Sequence, residues 1–193
     1  MSHYFKQDKS LNRDLKYIDH SFKDIHFRFA THAGVFSKDH IDPATLILLN
    51  TIPHLTGTVL DLGCGYGCIG IMLAKAYSLR LSQADINPFA LDLTRLNCEY
   101  NNVDSDIIES DCFDGIKQRF DTIIINPPIH AGKSTTYKMY ENAPKHLNAS
   151  GKLYVVTLKK HGAESTQRKL YEVFGGCEII YKKKGVFVFA CGG

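Results

Sequence analysis

Thr58-Val59-Leu60-Asp61-Leu62-Gly63-Cys64-Gly65-Tyr66-Gly67 is the stretch on which the fold of this chain turns. A β-prone run breaks into glycines, and apolar residues resume at Ile69, Ile71, Met72, Leu73 and Ala74. This predicts a strand, a tight turn and the start of a helix. Gly63, Gly65 and Gly67 open backbone angles closed to other residues and remove side chains where a ligand must press against main-chain amides. The pattern is Gly-x-Gly-x-Gly, distinct from the Gly-x-Gly-x-x-Gly of dinucleotide enzymes. Asp61, just before the first glycine, would repel a phosphate and attract a cationic amino-acid end.

Downstream, strand and helix patterns alternate, which implies an α/β fold with a parallel sheet and right-handed crossovers. A second strand is predicted at residues 80–84, ending at Asp85, and Asn87-Pro88 caps a helix that Asn101-Asn102 ends. A third strand covers 106–109 and leads to Asp111. A fourth, the β-branched run 122–125, expected to be fully buried, ends at Asn126-Pro127-Pro128. A helix is predicted at 138–147, a fifth strand at 152–158, a helix at 164–174 and strands at 177–181 and 186–191. The connection Lys182-Lys183-Lys184-Gly185 is so short that the last two strands must form an antiparallel hairpin. Upstream, residues 1–22 read as an arm with some helix at 11–18. A strand at 24–31 lies outside the main sheet, Gly34-Val35-Phe36-Ser37 makes a turn, and Asp42-Pro43 starts a helix running to about residue 51. The expected organisation is one structural domain, with residues 1–57 as arm, small β segment and cap helix on a core of residues 58–193.

With 193 residues, 44% of them hydrophobic, the chain is long enough for one sizeable core. A net charge of +3 permits a nucleic-acid partner without demanding one. The six cysteines are scattered, and Cys64 and Cys68 have no second ligand pair. They read as small buried thiols in a reducing compartment, with no metal. The first residues hold no apolar signal core and no run approaches ~20 apolar residues, so a cytoplasmic enzyme without membrane contact is expected.

Asp61-Leu62-Gly63-Cys64-Gly65-Tyr66-Gly67, followed in order by Asp85, Asp111 and Asn126-Pro127-Pro128, resembles the motif series of class I S-adenosylmethionine-dependent methyltransferases. The resemblance implies a Rossmann-like seven-stranded sheet, mostly parallel, with an antiparallel last strand. It also implies S-adenosyl-L-methionine as cofactor, held at the glycine turn by Asp61, Gly63, Cys64, Gly65 and Gly67. Asp85 and Ile86 would face the ribose, where a carboxylate accepts both hydroxyls. Asp111 and Cys112 would stand near the adenine, and Asn126 beside the methyl donor.

The chemistry at Asn126-Pro127-Pro128 has a physical rationale. An exocyclic amine on a planar ring is a poor nucleophile because its lone pair is delocalised. The Asn126 side-chain oxygen and the Pro127 carbonyl can each accept one amine hydrogen, favouring a pyramidal nitrogen aimed at the methyl group. Pro127 and Pro128 stiffen the loop and remove competing amide donors. Positioning and preorganised electrostatics then supply most of the rate, and no strong general base is needed.

The longer string Asn126-Pro127-Pro128-Ile129-His130-Ala131-Gly132-Lys133, with Gly34-Val35-Phe36-Ser37 and Ile41-Asp42-Pro43 upstream, resembles RsmC-type guanine methyltransferases of small-subunit ribosomal RNA. That likeness implies methylation of the guanine 2-amino group, ribosomal RNA or the ribosomal subunit as partner, and Phe36, Ile129, His130, Lys133 and Tyr137 as substrate-side residues. There are departures. Ile129 offers no π face where an aromatic residue often stacks on a flipped base, His32 replaces an expected acid and Ala44 an expected glycine. Full-length relatives carry an additional amino-terminal domain; its absence leaves recognition to a different target or to a second subunit, a homodimer in the simplest case. Two alternatives stay open: methylation of protein glutamine or adenine by the same chemistry, and a non-catalytic RNA-binding or assembly protein. Lys133, Lys138, Lys145, Lys159, Lys160, Arg168 and Lys169 form either an RNA track or a solvated face.

Overall fold

The structure is a computed structural model that describes residues 15–35, 37–127 and 132–193. Along the chain run β1 (Lys16–Phe22), β2 (Ile25–Thr31), α1 (Pro43–Thr51), β3 (Thr58–Leu62), α2 (Cys68–Tyr77), β4 (Arg80–Asp85), α3 (Pro88–Asn101) and β5 (Ser105–Glu109). Then follow β6 (Phe120–Ile125), α4 (Gly132–Asn142), β7 (Leu147–Leu158), α5 (Ala163–Phe174), β8 (Glu178–Lys183) and β9 (Val186–Gly192). The main sheet has seven strands in the order β5-β4-β3-β6-β7-β9-β8. Strands β3 to β7 pair in parallel, and β9 runs antiparallel to both neighbours, β7 and β8. This is the expected Rossmann-like seven-stranded methyltransferase architecture. The chain order reverses at β3, which lies between β4 and β6, so a crevice opens beyond the carboxyl ends of these strands.

The apolar run in β6 explains how the sheet is covered. Ile124 joins one buried cluster with Val59, Ile71, Leu73, Val156 and Val188. Ile123 and Ile125 join the other with Leu60, Leu62, Val155 and Phe189. Side chains alternate between faces with period two, and both faces are packed, so a continuous β-branched run is what a central parallel strand requires. Among the described residues no helix is long and apolar enough to cross a membrane.

Three sequence expectations change. Residues 16–18, expected within a helix, open β1 and pair with β2, Lys16 opposite Thr31 and Ile18 opposite Phe29. The hairpin turns at Lys23 and Asp24, both at positive φ (49° and 60°), the geometry of a tight two-residue connection. Ile18, His20 and Phe22 face inward in alternation, a period the scattered aromatics concealed. The helix expected from residue 138 begins at Gly132 and stops at Asn142, because its first turns are polar and carry no apolar periodicity. Pro144 then enforces a short 3-10 turn over Ala143–His146. Residues 148–151, expected to be a stop, lie inside β7, where an irregular register between Phe120 and Thr122 accommodates them.

The β1–β2 ribbon lies outside the main sheet and is held by asparagine side chains of α3. Asn97 Oδ1 accepts the Ala30 amide (2.6 Å) and its Nδ2 donates to the Ala30 carbonyl (2.9 Å) and the Tyr66 carbonyl (2.8 Å). One turn on, Asn101 does the same for Arg28, accepting its amide (3.1 Å) and donating to its carbonyl (2.8 Å). Two side chains at i and i+4 thus stand in for a missing strand along the β2 edge. Asn97 is fully buried. Asn97→Ala should therefore leave buried main-chain groups unpaired and destabilise the fold by about 2–4 kcal/mol, measured as a lower urea midpoint with an unchanged denaturant slope.

Candidate functional site

The β3–α2 turn is pinned from the neighbouring strand. The Gly63 and Cys64 amides both donate to the Ala84 carbonyl, at 2.7 and 3.0 Å. The Gly65 amide donates to Asp85 Oδ2 (2.9 Å), and Asp85 Oδ1 accepts the Asn87 amide (2.9 Å). Thr94 closes the turn by donating to the Gly65 carbonyl (2.8 Å). The glycines divide into two kinds. Added Cβ atoms at Gly63 and Gly65, both at positive φ, would meet nothing within 4 Å, so these positions open outward. At Gly67 a Cβ would stand 2.9 Å from Gln83 and Thr94 side-chain atoms. Gly67 serves packing and helix initiation.

A cleft of about 300 Å³ lies over this turn, walled by Gly63, Gly65, Asp85, Ile86 and Asn126. Gly34, Val35, Ser37, Asp42 and Thr45 close its other side. Cys64 also lines it, with a thiol pushed well above its ordinary range by burial, which makes it an unreactive wall. Ile86 is 62% exposed and gives the rim an apolar surface.

A second cleft of about 510 Å³ adjoins the first. Lys133, Thr136, Tyr137 and Tyr140 of α4 form one wall, and Lys160, His161, Ser165 and Thr166 face them. The Tyr140 hydroxyl is buried there without a hydrogen-bond partner among the described residues. Asp42, Asn126 and Pro127 line both clefts and mark their junction. Asn126 Nδ2 donates to Thr45 Oγ1 (2.9 Å), while its Oδ1 has no partner among the described residues.

The other sequence-selected residues distribute as follows. Lys133 and Tyr137 reach the second cleft. Asp111 lies 3.4 Å from Lys138 Nζ, and Cys112 is buried, its thiol pushed up to about 11 by burial and the Asp111 carboxylate; neither lines a cleft. Phe36, Pro128, Ile129 and His130 lie outside the described residues. The lysine series is split by ion pairing. Lys138 is held by Asp111 and Asp114, and Lys169 by Glu141 and Glu172. Lys133 and Lys160, exposed at the second cleft, have no ion pair among the described residues. Sequence reasoning missed Asp42 and Thr45 as site residues: it read Asp42 as a helix start and part of an upstream motif and did not select Thr45. It also assigned no function to His161 and did not select Tyr140, Ser165 or Thr166.

Comparisons with known proteins bear on the family and the fold. The model of the methyltransferase small domain family matches residues 26–190. The Bacillus subtilis protein YbxB is 35% identical over 192 residues, 96% of each chain. Ribosomal RNA small subunit methyltransferase C of Cronobacter sakazakii is 35% identical over 156 residues, covering 78% of this chain but 45% of that protein. The structure of T. thermophilus RsmC, a 16S rRNA N2 methyltransferase in complex with AdoMet and guanosine, superposes with a TM-score of 0.84 at 24% identity. It is matched over 92% of this chain and 50% of that one. The chain thus spans about half the length of these RsmC relatives.

Beneath the turn, Asp61 is 1% exposed. Its Oδ2 accepts the Gly70 amide in the first turn of α2 (2.9 Å), and Oδ1 has no partner among the described residues. Burial pushes its carboxyl up to about 7; the Gly70 bond opposes the rise and the Asp85 charge adds to it. A folded-state value above the unfolded one means the native chain holds the proton more tightly, so stability falls as pH rises from about 4 to about 7 and then levels. Asp61→Asn should remove this slope. In urea titrations the variant should gain on the parent between pH 5 and pH 8, by up to about 3 kcal/mol in the limit that the whole shift is realised.

Proposed function

The chain belongs to the methyltransferase small domain family, and on that premise we propose that it transfers a methyl group from S-adenosylmethionine to the 2-amino group of a guanine in small-subunit ribosomal RNA. The observation that carries this reading is the junction of two clefts at Asn126 and Pro127. One cleft suits a cofactor and the other an acceptor.

The first cleft fits the cofactor on three counts. Gly63 and Gly65 present open backbone where a side chain would intrude. The Asp85 carboxylate stands at the end of β4, between the turn and Ile86, as a ribose acceptor. Beneath the turn Asp61 carries a buried carboxyl oxygen with no partner among the described residues; its carboxyl, pushed up to about 7 by burial, ionises more readily beside a cationic amino-acid end and, once ionised, repels a phosphate. Bound there, the cofactor supplies a methyl group on a positively charged sulfonium.

The protein's own part is positioning. Asn126 Oδ1 and the Pro127 carbonyl accept the two amine hydrogens, so that the nitrogen lone pair points toward the first cleft. Tyr137 provides one aromatic face, and the Ser165 and Thr166 hydroxyls stand on the same cleft as hydrogen-bonding groups for a planar base. Lys133 and Lys160 stand at the same cleft as unpaired cations for the flanking phosphates.

Label transfer from radiolabelled S-adenosylmethionine to naked ribosomal RNA, assembled small subunits, transfer RNA and ribosomal proteins tests the proposal. Digested RNA should yield 2-methylguanosine. Asn126→Ala should lower transfer by about 100-fold or more while cofactor affinity holds within about threefold. Label in protein alone would move the acceptor to an amide, and cofactor binding with no transfer to any of them would leave the fold without this activity. A second measurement separates the lysines. Lys133→Ala and Lys160→Ala should each weaken RNA binding and reduce the salt dependence by roughly one phosphate contact, whereas Lys138→Ala should leave that slope unchanged.

A further inference from the structure

An asparagine amide has two ends of nearly equal size, one an acceptor and one a donor. For an exocyclic amine acceptor only the oxygen end is useful at Asn126, because an NH2 group turned the same way would confront donor with donor. What selects the end lies in α1. Asn126 Nδ2 donates to Thr45 Oγ1 at 2.9 Å across 81 residues of sequence. A threonine hydroxyl can donate or accept, and here its own proton is directed to Asp42 Oδ2, a long contact of 3.4 Å. The lone pairs of Oγ1 are thereby left for Asn126. Asp42 is itself fixed, since the same oxygen caps α1 by accepting the Thr45 amide at 3.0 Å. Thr45 is 3% exposed, so water does not readily replace it. A flipped Asn126 would set its oxygen against Oγ1, and the hydroxyl would have to leave the carboxylate to restore a bond.

We propose that Thr45 is a positioning residue: backed by Asp42, it holds the Asn126 amide so that Oδ1, and not Nδ2, is presented at the junction of the two clefts. The inference rests on the reading of Asn126 as acceptor for the amine hydrogens. It adds a residue from outside the main sheet to the machinery of transfer, and it ties the helix cap of α1 to the choice of which amide end the substrate meets.

The test uses the full chain with Thr45→Val, which keeps the shape and removes the hydroxyl, Thr45→Ser, which keeps the hydroxyl, and Asn126→Ala. With radiolabelled S-adenosylmethionine and small-subunit ribosomal RNA, Thr45→Val should lower kcat by roughly 10- to 100-fold. KM for RNA and the cofactor Kd should stay within about threefold, and Thr45→Ser should return kcat to within about threefold of the parent. A second readout needs no acceptor: the Asn126 side-chain NH2 resonances, identified by their loss in Asn126→Ala, should shift in Thr45→Val and hold their position in Thr45→Ser. Unmoved resonances in Thr45→Val, or a kcat within threefold of the parent while Asn126→Ala is inactive, would overturn the inference and leave the proposed function standing. Full activity in Asn126→Ala would overturn the proposed function instead. If no RNA accepts label, the amide resonances still decide whether Thr45 sets the orientation.

Discussion

Everything at the site depends on how the turn between β3 and α2 is tied to β4. Two successive amides share the Ala84 carbonyl, and a third, from Gly65, goes to the Asp85 carboxylate. No residue with a side chain pointing outward could follow that path and leave the cleft open, which is why Gly63 and Gly65 are needed for access and Gly67 for packing. The tie also sets Asp85 itself, because the oxygen that does not hold Gly65 caps the Asn87 amide. A carboxylate fixed on both oxygens by main-chain donors is preorganised, and its remaining lone pairs are directed without a search.

The turn is in turn coupled to elements outside the main sheet. Asn97 bonds both Ala30 in the β1–β2 ribbon and the Tyr66 carbonyl inside the glycine turn. Asn126, at the end of β6, is bonded to Thr45 in α1. Each of these bonds joins a residue early in the chain to the crevice at the switch point. The segment before β3 therefore acts as the far wall of the site, and removing it would open the cofactor cleft as well as expose the ribbon. Charge is distributed to the same end: Asp85 lines the first cleft, and Lys133 and Lys160, which have no ion pair among the described residues, line the second. The separation suits a cationic ligand in one and a polyanion in the other.

The large features were legible in the sequence because they are local. The glycine spacing, the β-branched run ending at Asn126 and the four-residue link before β9 each constrain a few consecutive residues, and a parallel α/β sheet closed by an antiparallel hairpin follows from them with the rule on crossover handedness, whereas the strand order came from the structure. Misreadings came where local pattern was weak. The first turns of α4 are polar, and β1 carries alternation too sparse to stand out from a helical arm until β2 is placed beside it.

By itself, then, the sequence determined the class of fold, the glycine cradle, the acid at the end of β4 and the amide at the end of β6. Only the tertiary structure decided which of these reach a cleft. Asp61 lies beneath the turn, Asp111 is engaged with Lys138, and Gly67 packs against Gln83 and Thr94. Thr45 and Asn126 acquire a shared role although 81 residues separate them. The reason is physical: backbone conformation is set by neighbours along the chain, whereas hydrogen-bond partners and burial are set by neighbours in space, and no spacing rule relates a helix cap to the end of a strand six elements later.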